Sequence, residues 1–177
     1  MMNPMYVKPY VKRGKNDVVD AEAICEAMTR PTMRFVGVKT VEQQSVLAVH
    51  RTRALLIRQR TMLVNALRGH LAEFGVVAPL GIERIPELID RVLGREGDEA
   101  GVPPLVRSLV ALYAEQIEKM KDHVRRLERE LRAWHRTSEA SRRVASVPGV
   151  GTVTATALVA AMPDPSMFAS GRAFAAW

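Results

Sequence analysis

The sequence predicts a mainly α-helical protein of long antiparallel helices, and three observations carry that expectation. Val106, Val110, Tyr113, Ile117, Met120, Val124, Leu127, Leu131 and Trp134 recur with alternating spacings of four and three, a heptad seam. Residues 41–74 contain no proline and keep Val49, Leu56, Leu63, Leu67, Leu71 and Phe74 at helical spacing. Residues 138–162 read as two short helices joined by Pro148-Gly149-Val150-Gly151, a helix-hairpin-helix pattern. The chain has 177 residues, 47% hydrophobic and 25% charged, which suits a folded protein and excludes a disordered one. No apolar run approaches a membrane span or a signal core, because Lys8, Lys12, Arg13 and Lys15 arrive at once. A lone Cys25 cannot form an internal disulfide, which points to a reducing, cytoplasmic setting. The net charge of +7 asks for a polyanionic partner.

Taken in order, Met5–Val11 has β-branched and aromatic residues interrupted by Pro9, which predicts an edge strand or extended arm. Residues 17–28 predict a helix with Asp17 as its N-cap and Pro31 just beyond its end. Residues 34–38 predict a short strand. The helix over 41–74 would be about 50 Å long at ~1.5 Å per residue. Residues 75–102 form an acidic connector with one short helix, Ile82–Leu93. The heptad helix follows, and its partner is either helix 41–74 folded back, a second chain, or both. A helix ending near Ala145, the Pro-Gly turn and a helix from Thr152 to Met162 complete the pattern, and Ser170 opens a last apolar stretch.

Three groups of residues are candidates for chemistry. At the hairpin, Gly149 and Gly151 allow close backbone approach, the amides from Thr152 onward can hold a phosphate, and Arg142 and Arg143 add attraction. The alternative is a plain helical corner. Asp17 and Asp20 lie one turn apart and could jointly hold a divalent cation, or cap the helix and suit its dipole. Arg51, Arg53, Arg58, Arg60 and Arg68 make the 41–74 helix attractive to a nucleic-acid backbone, or else face the acids of residues 76–102 and 115–130. His50, His70, His123 and His135 show no metal-ligand spacing with Cys25. Ser-His-Asp order, phosphate loop and dinucleotide fingerprint are all missing.

The strings KPYVKRGKNDVVDAEAICEA, RQRTMLVNALRGHLAEFG and SVPGVGTVTATALVAAMPDPSMFASGRAFAAW, separated by the coiled coil, resemble the DEDD insertion-sequence transposases. Members of that family carry a RuvC-like domain with four carboxylates and a transposase domain with a catalytic serine, and act as bridge-RNA-guided recombinases. The resemblance implies that Asp17 and Asp20, after Lys15, are the third and fourth carboxylates and ligands of Mg²⁺, with catalytic roles. It implies that Lys12, Arg13, Lys15, Arg142, Arg143, Gly149, Gly151 and Thr152 contact nucleic acid. It divides the chain into a β-containing edge of the RuvC-like domain (1–38), a helical coiled-coil connector (39–137) and the start of the transposase domain (138–177). Ser166 and Ser170 precede the stretch that holds the family's nucleophile and are not assigned that role.

The expectation is therefore a truncated transposase, inactive alone, that binds DNA and a structured guide RNA, self-associates through its heptads, and sits with the nucleoid in the cytoplasm. The alternative is a non-catalytic helix-hairpin-helix nucleic-acid-binding protein.

Overall fold

The computed structural model describes residues 2–14, 16–33, 35, 37–77, 81–94, 101–162 and 164–176. Among these the chain is mainly helical, and β pairing is confined to one isolated antiparallel bridge between Met2 and Phe35. The chain forms two compact units, one of residues 1–44 with 158–177, the other of residues 45–157.

The first unit corrects the expected β remnant. Residues predicted as an edge strand instead form a helical turn, α1 (Pro4–Val7), and a 3-10 turn, Lys8–Tyr10. Asn3 accepts a hydrogen bond from the Met5 amide at 3.0 Å, and Pro4 supplies a fixed φ at the first helical position. Pro9 acts in the same way for the second turn, so the prolines that argued for an edge strand start helical turns instead. Of the predicted strand 34–38, Phe35 makes the bridge to Met2; Arg34 and Val36 lie outside the described residues.

Helix α2 (Asp17–Met28) follows, with Ala23 and Ala27 buried and Val18, Ile24 and Met28 exposed. Helix α3 (Val41–Ala72) starts on a reciprocal capping box: Gln43 N donates to Thr40 Oγ1 at 3.1 Å and Thr40 N donates to Gln43 Oε1 at 2.9 Å. Within the same unit, Gln43 Nε2 donates to the carbonyls of Val159 and Met162, at 3.3 and 2.8 Å. Orphan carbonyls at a helix end thereby gain a partner.

In the second unit α3 continues to Ala72 and stops at Gly75, whose φ of 74° is the left-handed conformation a helix end favours. The connector contains a 3-10 turn (Ile82–Arg84) and helix α4 (Ile85–Leu93), as the sequence predicts. Helix α5 (Pro104–Thr137) runs antiparallel to α3, since Arg53 pairs with Glu128 and His70 stacks near Tyr113 at 5.9 Å. The heptad helix thus has a partner inside its own chain. Every second seam residue, Val110, Ile117, Val124 and Leu131, is buried; Val106, Tyr113, Met120, Leu127 and Trp134 between them are half-buried. Val64, Leu67 and Leu71 of α3, Ile85, Leu88 and Val92 of α4, and Val110 and Ile117 of α5 make one core.

A break at Ser138 separates α5 from α6 (Glu139–Ala145), and the Ser138 hydroxyl accepts the Ser141 amide at 3.2 Å. Helix α7 (Thr152–Ala161) returns past α3, where His50 Nε2 meets Thr156 Oγ1 at 3.0 Å. The Thr156 hydroxyl already donates to the carbonyl of Thr152 or Val153, so His50 is the donor of this bond.

Partial burial, and then the Arg53 charge, hold His50 below its ordinary value of 6.5. The folded protein therefore binds a proton at His50 less readily than the unfolded chain does. Its contribution to stability is present above pH 6.5 and lost as pH falls toward the lowered folded value. Urea melts at pH 7.5 and pH 5 should show a pH-dependent loss that is smaller in His50→Gln; an identical loss in both proteins would remove His50 as its source. In the first unit Ser170 accepts from Ala173 N at 3.2 Å and starts α8 (Gly171–Ala175), where Phe168 and Phe174 pack edge to face.

Candidate nucleic-acid interface and carboxylate pair

The start of α2 decides what Asp17 and Asp20 can do. Asn16, not Asp17, is the N-cap, accepting the Val18 amide at 2.9 Å through its side chain. The residue three beyond that cap is Val19, so no capping box occupies either acid. Asp17 and Asp20 are both exposed in the first turn, where the helix dipole favours negative charge. Neither carboxylate has a hydrogen-bond or ion-pair partner among the described residues. An i, i+3 pair projects from one face and offers oxygen donors to a hard cation such as Mg²⁺. No group of three or more His, Cys, Asp or Glu able to hold a metal occurs among the described residues.

Around that turn the basic arm is partly committed. Lys12 Nζ pairs with Glu22 at 2.8 Å, and the hydrogen bond and charge of Glu22 raise the lysine above its ordinary value. Arg13 is exposed, and Lys15 lies outside the described residues.

The turn at residues 146–151 lies in the other unit, between α6 and the start of α7. Val147 N donates to Val144 O at 3.3 Å and Val150 N to Val147 O at 3.0 Å, which closes the turn. Gly149 takes φ 86°, a conformation that L side chains adopt only with strain. Gly151 accepts the Ala155 amide through its carbonyl at 2.9 Å but has no side chain to cap the amides of Thr152, Val153 and Thr154. Both glycines face open space, with nothing within 4 Å of an added Cβ. Arg143 is paired with Glu139 at 2.8 Å; Arg142 is exposed and has no ion pair among the described residues.

Most of the arginine-rich face of α3 is internal to the helical unit. Arg53 is half-buried against Glu128, Arg68 donates to Gly81 O at 2.6 Å, and Arg60 lines a cleft with Asp90 and Glu118. Arg51 and Arg58 remain exposed. The sequence reading missed a denser set on α5, Arg125, Arg129, Arg132 and Arg136, whose spacing of four, three and four was available as a signal. Near the C-terminal end, Asp164 accepts the Ser166 amide at 2.8 Å and its hydroxyl at 2.6 Å, and these bonds lower the acid's pKa. Ser166 is thus a turn-capping partner. Among the described residues, no helix is long and apolar enough to cross a membrane.

Comparison with known proteins finds a family match at each end of the chain. Residues 141–177 match the Transposase IS116/IS110/IS902 family, and residues 1–76 match the DEDD transposase domain of the IS110 group, described as a transposase. The whole chain is 47% identical to a Sinorhizobium fredii protein named as a transposase (y4pF/y4sB), covering 45% of that protein. It is 40% identical to the transposase for insertion sequence element IS1111A of Coxiella burnetii, covering all of this chain and 48% of the relative. With the transposase for IS1328 of Yersinia enterocolitica the identity is 38%, over 99% of this chain and 51% of the relative. The chain therefore spans about half the length of the curated relatives it matches. No solved structure matches it. With one domain match at each end and similarity along its whole length to about half of several transposases, the chain carries segments of two IS110/IS116-type transposase domains.

Proposed function

We propose that this chain handles DNA within a transposase that moves an insertion sequence by DNA recombination. The observation that carries the reading is the uncommitted pair Asp17 and Asp20: Asn16 does the capping, which leaves two carboxylates of the DEDD-matching segment open to a cation. Together with carboxylates from elsewhere in a RuvC-like domain they would hold Mg²⁺, which stabilises charge on phosphate oxygens. The helix-hairpin-helix segment, with Gly149 in the left-handed region and the leading amides of α7 uncapped by Gly151, is the DNA-backbone contact, helped by Arg142. A structured guide RNA would be held by the same phosphate chemistry. The half-buried row on α5, beside exposed Leu55 and Met62 of α3, supports pairing with a second copy.

Two carboxylates do not complete a two-metal site, so a polypeptide of these 177 residues is inactive by itself. Incubated with labelled duplex DNA and Mg²⁺, it should bind without cutting, with affinity falling steeply between low and moderate salt as counterions are recaptured. Metal-dependent strand cleavage would overturn the incomplete-site reading, and affinity insensitive to salt would overturn phosphate contact. Sedimentation as a monomer at micromolar concentration would remove the second copy.

A further inference from the structure

Helix α5 carries a charge pattern that neither the carboxylate pair nor the hairpin uses. Arg125, Arg129, Arg132 and Arg136 are all exposed and follow one another at i, i+4, i+7 and i+11. At about 100° per residue these positions stay within an arc of roughly 60°, so they form a single row along the helix. The row is turned away from the buried seam of Val124 and Leu131.

The acids nearby neutralise little of it. Glu128 is held by Arg53 at 2.6 Å, and Glu130 pairs with Arg126, which is off the row, at 3.4 Å. Arg125 pairs with Asp122 at 3.3 Å, the one acid paired with the row among the described residues. Arg132 donates its Nε to the carbonyl of Glu128 at 3.1 Å, and the side chain is exposed. Arg129 and Arg136 have no ion pair among the described residues.

A row of arginines can simply solubilise a helix, or complement the dipole at its C-terminal end. The dipole acts within the last turn and accounts for Arg136 beside His135, but not for three further arginines up to three turns earlier. Solubility does not require one sign on one line, and mixed charges serve it better, as the i, i+4 pair Glu115 and Lys119 on the same helix illustrates.

We propose that this row is a phosphate track lying along one strand of duplex DNA. It rests on the DNA-handling reading above and names a surface for it. From Arg125 to Arg136 the helix rises about 16 Å at ~1.5 Å per residue, long enough to meet several phosphates of one strand, whose charges recur every ~3.4 Å along the duplex axis. Guanidinium groups suit phosphate oxygens in geometry and keep their charge. The row offers no exposed aromatic platform, Trp134 being half-buried on the seam, so its chemistry is that of a duplex backbone and not of stacked single-strand bases.

The test compares the 177-residue chain with Arg129→Gln/Arg132→Gln/Arg136→Gln and with Arg126→Gln as an off-row control, on a duplex of ~30 base pairs over a salt series. Circular dichroism should show all three proteins equally helical. The triple variant should lower affinity at ~0.1 M salt by tenfold or more and make the log affinity against log salt plot shallower by about 2–3, near 0.9 per lost phosphate contact. Arg126→Gln should change the slope by less than one. A triple variant with an unchanged slope, in a protein that otherwise binds DNA, overturns the track and leaves the hairpin as the contact. A loss seen only with single-stranded DNA or duplex RNA also overturns it. If the unaltered chain does not bind DNA at all, the wider reading falls together with the track.

Discussion

Replacing Leu71 with alanine is expected to destabilise the helical unit by about 3 kcal/mol, within the ~2–5 kcal/mol range for a leucine removed from a packed core. Leu71 is fully buried at the end of α3. It belongs to the core that also contains Val76 of the connector, Ile85 of α4 and Val110 of α5, so the loss falls where several elements share one core. Its carbonyl also accepts the amides of Phe74 and Val76, both at 3.0 Å, which fixes the backbone where the helix turns into the connector. Alanine is the best helix former, so the substitution leaves those bonds and the helix intact and isolates the packing loss. Leu109→Ala on α5 is the matching control, since that side chain is 43% exposed and should cost below ~1 kcal/mol. Urea denaturation with comparable m-values would measure both. A Leu71→Ala midpoint within error of the unaltered protein would mean that α3, α4 and α5 do not share one core.

That core was largely legible beforehand because it repeats. The seam from Val106 to Trp134 fixed where α5 lies, and the structure gives Pro104–Thr137. Periodicity is silent about which chain fills the groove, and what settles it is long-range pairing such as Arg53 with Glu128, separated by 75 residues. The N-terminal turns were misread because proline means different things in different backbones. Pro4 and Pro9 exclude a central strand, yet they also stand at the first positions of helical turns, and the short segment Met5–Val11 cannot discriminate by period.

Of the candidate site, Asp17 and Asp20 both lie in the first turn of α2, but the cap falls one residue earlier than the sequence suggests. Asp and Asn are almost equally good N-caps, and only the geometry of Asn16 Oδ1 on the Val18 amide decides between them. With Asn16 as the cap, the Asp17 carboxylate is not used in capping. The arginines of α3 show the opposite case. The sequence leaves them either as a nucleic-acid surface or as partners of the acids of 76–102 and 115–130, and Arg53 on Glu128 follows the second course, while Arg68 bonds the Gly81 carbonyl and the open row lies on α5.

Gly149→Val should combine the second large effect on stability with a loss of DNA binding, and a companion substitution separates the two. At φ 86° a valine pays the left-handed penalty of about 1–2 kcal/mol, with β-branching adding to it, although its Cβ would meet no atom within 4 Å. The cost is therefore in the backbone, and relief comes by distorting the turn that holds α6 against α7. Gly151 is different: its φ is not in the left-handed region and the space around it is also open, so Gly151→Ala should leave thermal stability unchanged or slightly higher. If the hairpin grips a phosphate by close backbone approach, a methyl group directly before Thr152 obstructs it. Gly151→Ala should then weaken DNA binding by about tenfold while keeping its melting temperature, and Gly149→Val should lose both. A Gly151→Ala protein that binds DNA as tightly as the unaltered chain would make the hairpin a structural corner. Any weakening in Gly149→Val would then report only the damaged turn.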